Sequence, residues 1–367
     1  MRRPRVKAPD GHAAAYYHCV SRVVGREFLL GEAEKEQFVR YMRLYEKLYG
    51  LRIISYVVMS NHFHILVEVP QRPAEEALPN DKELVAHVRS CLGDEAATSL
   101  EWELSRFRGQ NNDTAAEALR EKWFARMWDV SRYMKVLKQR FTQWYNGRYN
   151  RRGTLWEDRF RSVLVQGAGA ALKTMAAYID LNPVRAKICD DPKDYRWCSY
   201  GEAVAGGKKA AQALQWLHSF RVDSHGAVPH DSQDQTMPVR EALERWRCYL
   251  FGVPFSEGAR EEELEKEKGV AGTASLFRNR ISREEALKVM KEGGRLKRSD
   301  YLRCRVRYFS DGAALGSKEF VEEVFEGARE LFSPNRKEGA RTLKGMETLP
   351  KPERIYNLRQ LQKDVFS

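Results

Sequence analysis

Apolar side chains recur with two different periods along the first part of the chain. Tyr16-Tyr17-His18-Cys19-Val20-Ser21-Arg22-Val23 is rich in β-formers and predicts a first strand. From Glu34 to Tyr49 the spacing changes: Phe38, Tyr41, Met42, Tyr45 and Leu48 fall on one face of a helix, which Gly50 ends. Leu51 to Met59 is a second apolar strand and His62 to Val69 a third. Ser60-Asn61 between them suits a hairpin turn, and Pro70 closes the pair.

Residues 71–128 break this rhythm with Pro73, Pro79, Gly93 and the polar run Gly109-Gln110-Asn111-Asn112-Asp113. Acidic residues outnumber basic ones 11 to 8 from Gln71 to Arg126, and the stretch reads as one or two inserted helices. Ser131 to Tyr145 is a helix with Met134, Leu137, Phe141 and Trp144 on one face; Thr154 to Gln166 is a strand region; Ala170 to Leu181 is a further helix. The order β-α-β-β-α-β-α predicts an α+β fold, a small antiparallel sheet with helices on one face. After Tyr200 the pattern loosens. Residues 201–237 carry Gly206-Gly207, Lys208-Lys209 and a polar stretch, and read as a linker. Residues 238–367 then read as a mainly helical accessory region. Its helices fall at about 238–250 and 256–268, at Ser282 with Glu285 as a capping box, and at 317–332. There is no internal repeat and no cofactor-type glycine loop.

A chain of 367 residues is too long for one ordinary core, so two or more folded units are expected. Its 43% hydrophobic and 31% charged residues are a globular balance, and no apolar run approaches the ~20 residues that span a bilayer. The basic start, Met1-Arg2-Arg3-Pro4-Arg5-Val6-Lys7, has no apolar segment after it, so no secretory signal is expected there, and without a spanning run no membrane partner is expected. The net charge of +12 favours a polyanionic partner, a property that ribosomal, membrane-surface and DNA-acting proteins share. None of the six cysteines forms a Cys-x-x-Cys pair; nothing demands an oxidising compartment, and a cytoplasmic location is expected.

Three segments carry candidate chemistry. In Asn61-His62-Phe63-His64-Ile65-Leu66-Val67-Glu68, strand alternation puts His62 and His64 on one face, ~7 Å apart along the strand, where they could share a cation. A half-exposed strand face with two ordinary histidines has the same pattern. In Tyr178-Ile179-Asp180-Leu181-Asn182-Pro183-Val184-Arg185-Ala186, Tyr178 and Asn182 are i, i+4 on a helix. A phenol can attack phosphorus and an amide oxygen can ligate a hard cation. Equally, Tyr178 could be a core aromatic, and Asn182 could cap a helix that starts at Pro183. Tyr356 and Gln360 share the same spacing. From Asp129 to Arg161, nine Lys or Arg face three acids, with Trp144, Tyr145, Tyr149, Trp156 and Phe160 interleaved. That mixture suits single-stranded DNA, with Arg151, Arg152, Trp156, Arg159 and Arg161 as the candidate contacts; a solvated basic helix with core aromatics explains many of the same residues.

The blocks around these residues resemble one family. Met59 to Leu66, with His62-Phe63-His64, is similar to the His-hydrophobic-His motif of single-tyrosine transposases, as is Tyr17 to Arg22. Asn150-Arg151-Arg152-Gly153-Thr154-Leu155-Trp156-Glu157-Asp158-Arg159-Phe160, Tyr178 to Ala186 and Asp194 to Tyr200 resemble the later blocks of the REP-associated tyrosine transposases. The resemblance covers about residues 14–200. It implies a ferredoxin-like fold and a catalytic domain over residues 1–200. It also implies that His62 and His64 bind Mg²⁺ or Mn²⁺ with Asn182 as third ligand, and that Tyr178 is the nucleophile toward single-stranded or hairpin DNA. A homodimer is compatible with it. The chain departs from the family in its 71–128 insertion and in Ser60, where proline is usual. Two alternatives stay open: a DNA-binding protein that has lost the reaction, and a zinc hydrolase using His62, His64 and a third ligand such as His18. The segment 295–307, with six positive charges and one acid, leads into the last helix. The C-terminal region is therefore either a DNA-binding module or a cap packed on the rest.

Overall fold

The structure, a computed structural model, describes residues 5–9, 11–167, 169–219, 221–223, 226–228, 237–251, 307–343 and 354–359. The chain is α+β and folds as two compact units, one of residues 10–53 and 58–161, the other of 1–9, 54–57 and 162–367.

The first unit begins with β1 (Ala14–Arg22) and α1 (Glu32–Leu48), which buries Phe38, Met42, Tyr45 and Leu48. β2 (Arg52–Val58) leads into β3 (His62–Pro70) through a turn in which Met59 N–H donates to the His62 carbonyl at 2.8 Å. The central residues of β2, 54–57, belong to the second unit. β1 and β3 pair antiparallel, with Val20 opposite His64 and Arg22 opposite His62. One face of β3 is Phe63, Ile65 and Val67, all fully buried. Phe38, Phe141 and Trp156 form an aromatic core against Phe63.

The inserted stretch holds three helices, where the sequence pattern suggests one or two. They are α2 (Asp81–Leu92), α3 (Asp94–Gly109) and α4 (Asp113–Phe124). Gly93, at φ +88°, takes the positive-φ conformation that separates α2 from α3, and Asn112 caps α4 by accepting from the Ala115 N–H. Asn80 and Glu83 form a capping box on α2. These helices have a core of their own, with Leu84, Val85, Val88, Leu100, Leu104 and Phe124 buried together. α5 (Val130–Arg148), capped by Asp129, completes the unit and buries Tyr133, Met134, Leu137 and Phe141.

The second unit opens with β4 (Arg161–Val165), whose residues from 162 lie in it, and α6 (Gly169–Asp180). A short α7 (Asn182–Arg185) follows. Residues 201–219 are not a linker. α8 (Ser199–Val204) and α9 (Lys208–Ser219) are packed helices, the latter burying Ala210, Ala213, Leu214 and Leu217 at helical spacing. The glycine pair that suggested flexibility is a helix C-terminal motif. Gly206 sits at φ +89°, and the N–H groups of Gly206 and Gly207 return to the carbonyls of Ala203 and Glu202. β5 (Arg221–Asp223) and β6 (Gly226–Val228) pair antiparallel. α10 (Val239–Phe251) closely matches the expected helix at 238–250.

The described residues of the C-terminal region are helical at 239–251, 307–310 and 318–327, and they also carry strands that the sequence pattern does not suggest. After α11 (Arg307–Ser310), β7 (Gly312–Gly316) pairs parallel with β4, joining Leu164 to Ala314 and Val165 to Leu315. α12 (Lys318–Gly327) is capped by Ser317 and ends short of 332. β8 (Arg341–Thr342) and β9 (Tyr356–Arg359) continue the sheet, so β4, β7, β9 and β8 are successive neighbours. Gly312-Ala313-Ala314-Leu315-Gly316 is short and poor in β-formers; its burial on all sides overrides propensity. The helices expected at 256–268 and from Ser282, and the basic segment at 295–306, lie outside the described residues.

Candidate active site

His62 and His64 stand on the β3 face opposite the Phe63 core, their ring centroids 5.1 Å apart. Asn61 holds the first ring: its side-chain oxygen Oδ1 lies 2.7 Å from His62 Nδ1 and can only accept, so that nitrogen carries the proton. His64 is nearly buried, and its Nδ1 lies 2.8 Å from Nε2 of the fully buried His18 on β1. The His18 and His64 rings are near-parallel, 11° between planes and 5.0 Å between centroids. Both contacts are made through Nδ1 of the β3 histidines.

Two imidazoles from one rigid strand fit part of the coordination sphere of a small divalent ion. The remaining positions suit water and a phosphate oxygen, which Mg²⁺ commonly keeps. Among the described residues no group of three or more His, Cys, Asp and Glu is disposed to hold a metal ion. Glu68 shares this face by alternation but is committed to Tyr16, whose hydroxyl donates to it at 3.0 Å, and to Arg52. His18 spends its Nε2 on His64 instead of converging with it on a cation. Among the described residues no third His, Cys, Asp or Glu is arranged with these two histidines for the zinc-hydrolase alternative.

Tyr178 and Asn182 belong to the second unit. Tyr178, on α6, is 0% exposed. Phe309 packs on its ring at 4.7 Å between centroids, and the Arg185 guanidinium lies over that ring at 3.9 Å. Asn182 is not a helix cap. Leu181 holds the cap position of α7, Asn182 is its first residue with Pro183 next, and its side-chain amide donates to the Tyr178 carbonyl at 3.4 Å. Two residues from Tyr178, the fully buried Asp180 accepts from Trp246 Nε1 at 2.9 Å and from the Tyr200 N–H at 3.3 Å. Burial pushes its carboxyl up to about 7, partly offset by these hydrogen bonds. Tyr356, which shares the Tyr-x-x-x-Gln spacing, lies on the strand β9, and Gln360 is outside the described residues.

The basic stretch divides by role. Trp156 is not a stacking platform for a base. At 5% exposure it packs on Phe38, Phe63 and Phe141 and donates Nε1–H to the Lys138 carbonyl. Lys138 is equally committed: its ammonium donates to the Asp158 carbonyl at 2.7 Å, and burial lowers its pKa to about 8. Arg152, Arg159 and Arg161 are exposed and Arg151 is half-buried. Sequence reasoning missed three contacts: His18 on His64, and Phe309 and Arg185 on Tyr178. Arg185 follows Tyr178 by seven residues, two helical turns, which was legible; strand register and a contact 131 residues away were not.

Residues 12–76, which hold β1, α1, β2 and β3, match the family described as Transposase IS200 like. No curated protein matches the chain. Among solved structures it is similar to a REP-associated tyrosine transposase bound to a REP hairpin. That likeness has 15% sequence identity and a TM-score of 0.34, and it covers 56% of this chain and 86% of that one.

Proposed function

We propose that the chain is a single-tyrosine transposase that cuts and rejoins single-stranded, hairpin-forming DNA. One observation carries the reading: His62 and His64 share one face of β3, each with Nδ1 engaged, inside the segment that matches the transposase family. In this reading His62 and His64 hold Mg²⁺ or Mn²⁺ with Asn182 as third ligand. Arg22, exposed and opposite His62 in register, together with Arg151, Arg152, Arg159 and Arg161, contacts the DNA backbone. The chemistry a bound divalent ion supplies is neutralisation of charge on the scissile phosphate. Tyr178 loses its phenolic proton to solvent and its oxygen bonds to phosphorus; the bond from phosphorus to the 3′-oxygen breaks, and that oxygen takes up a proton. The products are a 5′-phosphotyrosine and a free 3′-hydroxyl, and attack by a 3′-hydroxyl reverses the step without ATP. Because Tyr178 is covered by Phe309 and Arg185, attack requires these two side chains to move aside.

That coverage favours a second reading, a DNA-binding protein on the same framework that does not react. One experiment separates the two. The chain is incubated with labelled single-stranded hairpin DNA and Mn²⁺, and a covalent adduct is sought on a denaturing gel. Wild type forms the adduct and Tyr178→Phe does not, while both bind the DNA. Binding without any adduct in wild type leaves the second reading standing. An adduct on Tyr178→Phe removes Tyr178 from its role.

A further inference from the structure

We propose that His18 is a positioning residue that sets the tautomer and ring plane of His64. Its purpose rests on the functional reading above; its substance rests on geometry alone. β1 and β3 run antiparallel with Val20 opposite His64 and Leu66 opposite His18. His18 and His64 are thus diagonal neighbours on one face of the sheet, close enough for two long side chains to meet. They meet edge to edge, His18 Nε2 to His64 Nδ1 at 2.8 Å, with the rings nearly parallel.

Two neutral imidazoles in such a pair share one proton, which leaves two arrangements. In the first, His64 donates from Nδ1, so its lone pair points out from Nε2, and His18 accepts at Nε2 with its own proton on Nδ1. In the second, His18 donates, and His64 carries its proton on Nε2 and cannot offer that nitrogen to a cation. The neighbouring ring indicates which arrangement serves the site. Asn61 fixes His62 with its proton on Nδ1, and the first arrangement gives His64 the matching tautomer. A metal-binding imidazole characteristically donates its other N–H to a fixed acceptor, and His18 supplies an acceptor from which water is excluded, since it is 0% exposed. Turning the His64 ring about its own axis would break both the hydrogen bond and the ring contact. His18 therefore acts through His64 and is not itself a ligand.

The test begins on metal-free, full-length wild type labelled with ¹⁵N-histidine. Long-range ¹H–¹⁵N correlation, assigned with His18 and His64 single variants, reads which nitrogen carries each proton. The expected result is His64 protonated on Nδ1 and His18 unprotonated on Nε2. Mn²⁺ affinity, followed by electron paramagnetic resonance, is then compared across variants. His18→Leu, apolar and matched to the buried site, should weaken Mn²⁺ binding by ~10–100-fold. His18→Gln places an amide oxygen near the position of Nε2 and should restore most of it. Three results overturn the proposal: His64 protonated on Nε2 in wild type, His18→Leu binding Mn²⁺ as tightly as wild type, or His18→Gln as weak as His18→Leu. Should His18→Leu fail to fold, the wild-type tautomer and His18→Gln decide. If wild type holds His64 in the expected tautomer yet binds no divalent ion, the functional reading falls while the His18–His64 assignment stands.

Discussion

Asp180 makes the stability of the second unit depend on pH in a direction that can be worked out in advance. Its carboxyl is raised from 3.8 to about 7, first by burial, with Trp246, Tyr200, Ser199 and Ser55 pulling it partly back through hydrogen bonds. The folded state thus holds this proton more tightly than the unfolded chain. The associated stability is complete below pH 3.8, falls as pH rises, and is gone above about 7. Three pKa units at ~1.4 kcal/mol each make the span on the order of 4 kcal/mol. His218, packed edge-on against the same Trp246 at 5.9 Å, works the other way. Burial lowers it from 6.5 to about 4, so its contribution is lost as pH falls through that interval. The two trends oppose each other over one window, so the wild-type profile alone is not diagnostic. Asp180→Asn isolates the carboxylate. Its amide can offer an oxygen to Trp246 or to Tyr200 but not to both, which costs about 1–2 kcal/mol at every pH and leaves the slope untouched. Urea unfolding of both proteins from pH 3.5 to 8, followed by far-ultraviolet circular dichroism, gives the difference curve. Wild type minus variant should fall by several kcal/mol between pH 4 and 7 and be level beyond. Parallel curves would mean that Asp180 titrates at its ordinary carboxylate value and that the burial argument is wrong.

His62→Ala and His64→Ala should each abolish DNA cleavage, and EDTA should do the same to wild type; undiminished cleavage in EDTA would remove the metal from the reaction. Trp156→Ala should lower stability by ~3–5 kcal/mol, as a core truncation, and leave the salt dependence of DNA binding unchanged. Arg152→Ala with Arg159→Ala should do the reverse: unfolding unchanged, and a slope of log affinity on log salt shallower by about one to two units. Unaltered slopes in that double variant would take both arginines out of the DNA interface.

Elements with a strong period were legible in the sequence. Alternation over His62 to Val69 gives the strand and the shared histidine face, and the spacing of Phe38, Met42, Tyr45 and Leu48 gives the helix before it. Local chemistry misled where one residue type serves two purposes. Gly206-Gly207 suggests a loose linker but terminates a helix in a defined motif, and Trp156 in a basic stretch suggests stacking on DNA but fills a core. The partner of His64 was beyond reach because it depends on strand register: a shift of one residue would turn His18 to the other face. The helix break after Asp180 was anticipated from Pro183 but placed one residue late, since proline is tolerated inside the first turn.

The C-terminal region bears on the candidate nucleophile more directly than a separate DNA-binding module would. Within the second unit, Trp246 supplies the donor that satisfies the Asp180 carboxylate, Phe309 covers the Tyr178 ring, and β7 pairs with β4 through Leu164 and Val165. A chain ending at Tyr200 loses all three. Its Asp180 would keep the Tyr200 N–H but lose the indole donor, and an unmade buried hydrogen bond costs about 1–3 kcal/mol. Its β4 would present the unpaired groups of a sheet edge, a template for aggregation. For the described C-terminal residues these contacts support the packing role, which sets the expectation for the truncated chain. It should be insoluble, or should lose cooperative unfolding in residues 162–200, before any question of DNA affinity arises. The milder variant Phe309→Ala should fold and expose Tyr178, read as faster nitration of that ring by tetranitromethane. If the 200-residue chain is soluble, unfolds cooperatively and still forms the tyrosine adduct, the C-terminal strands are not integral to the unit and the module reading returns.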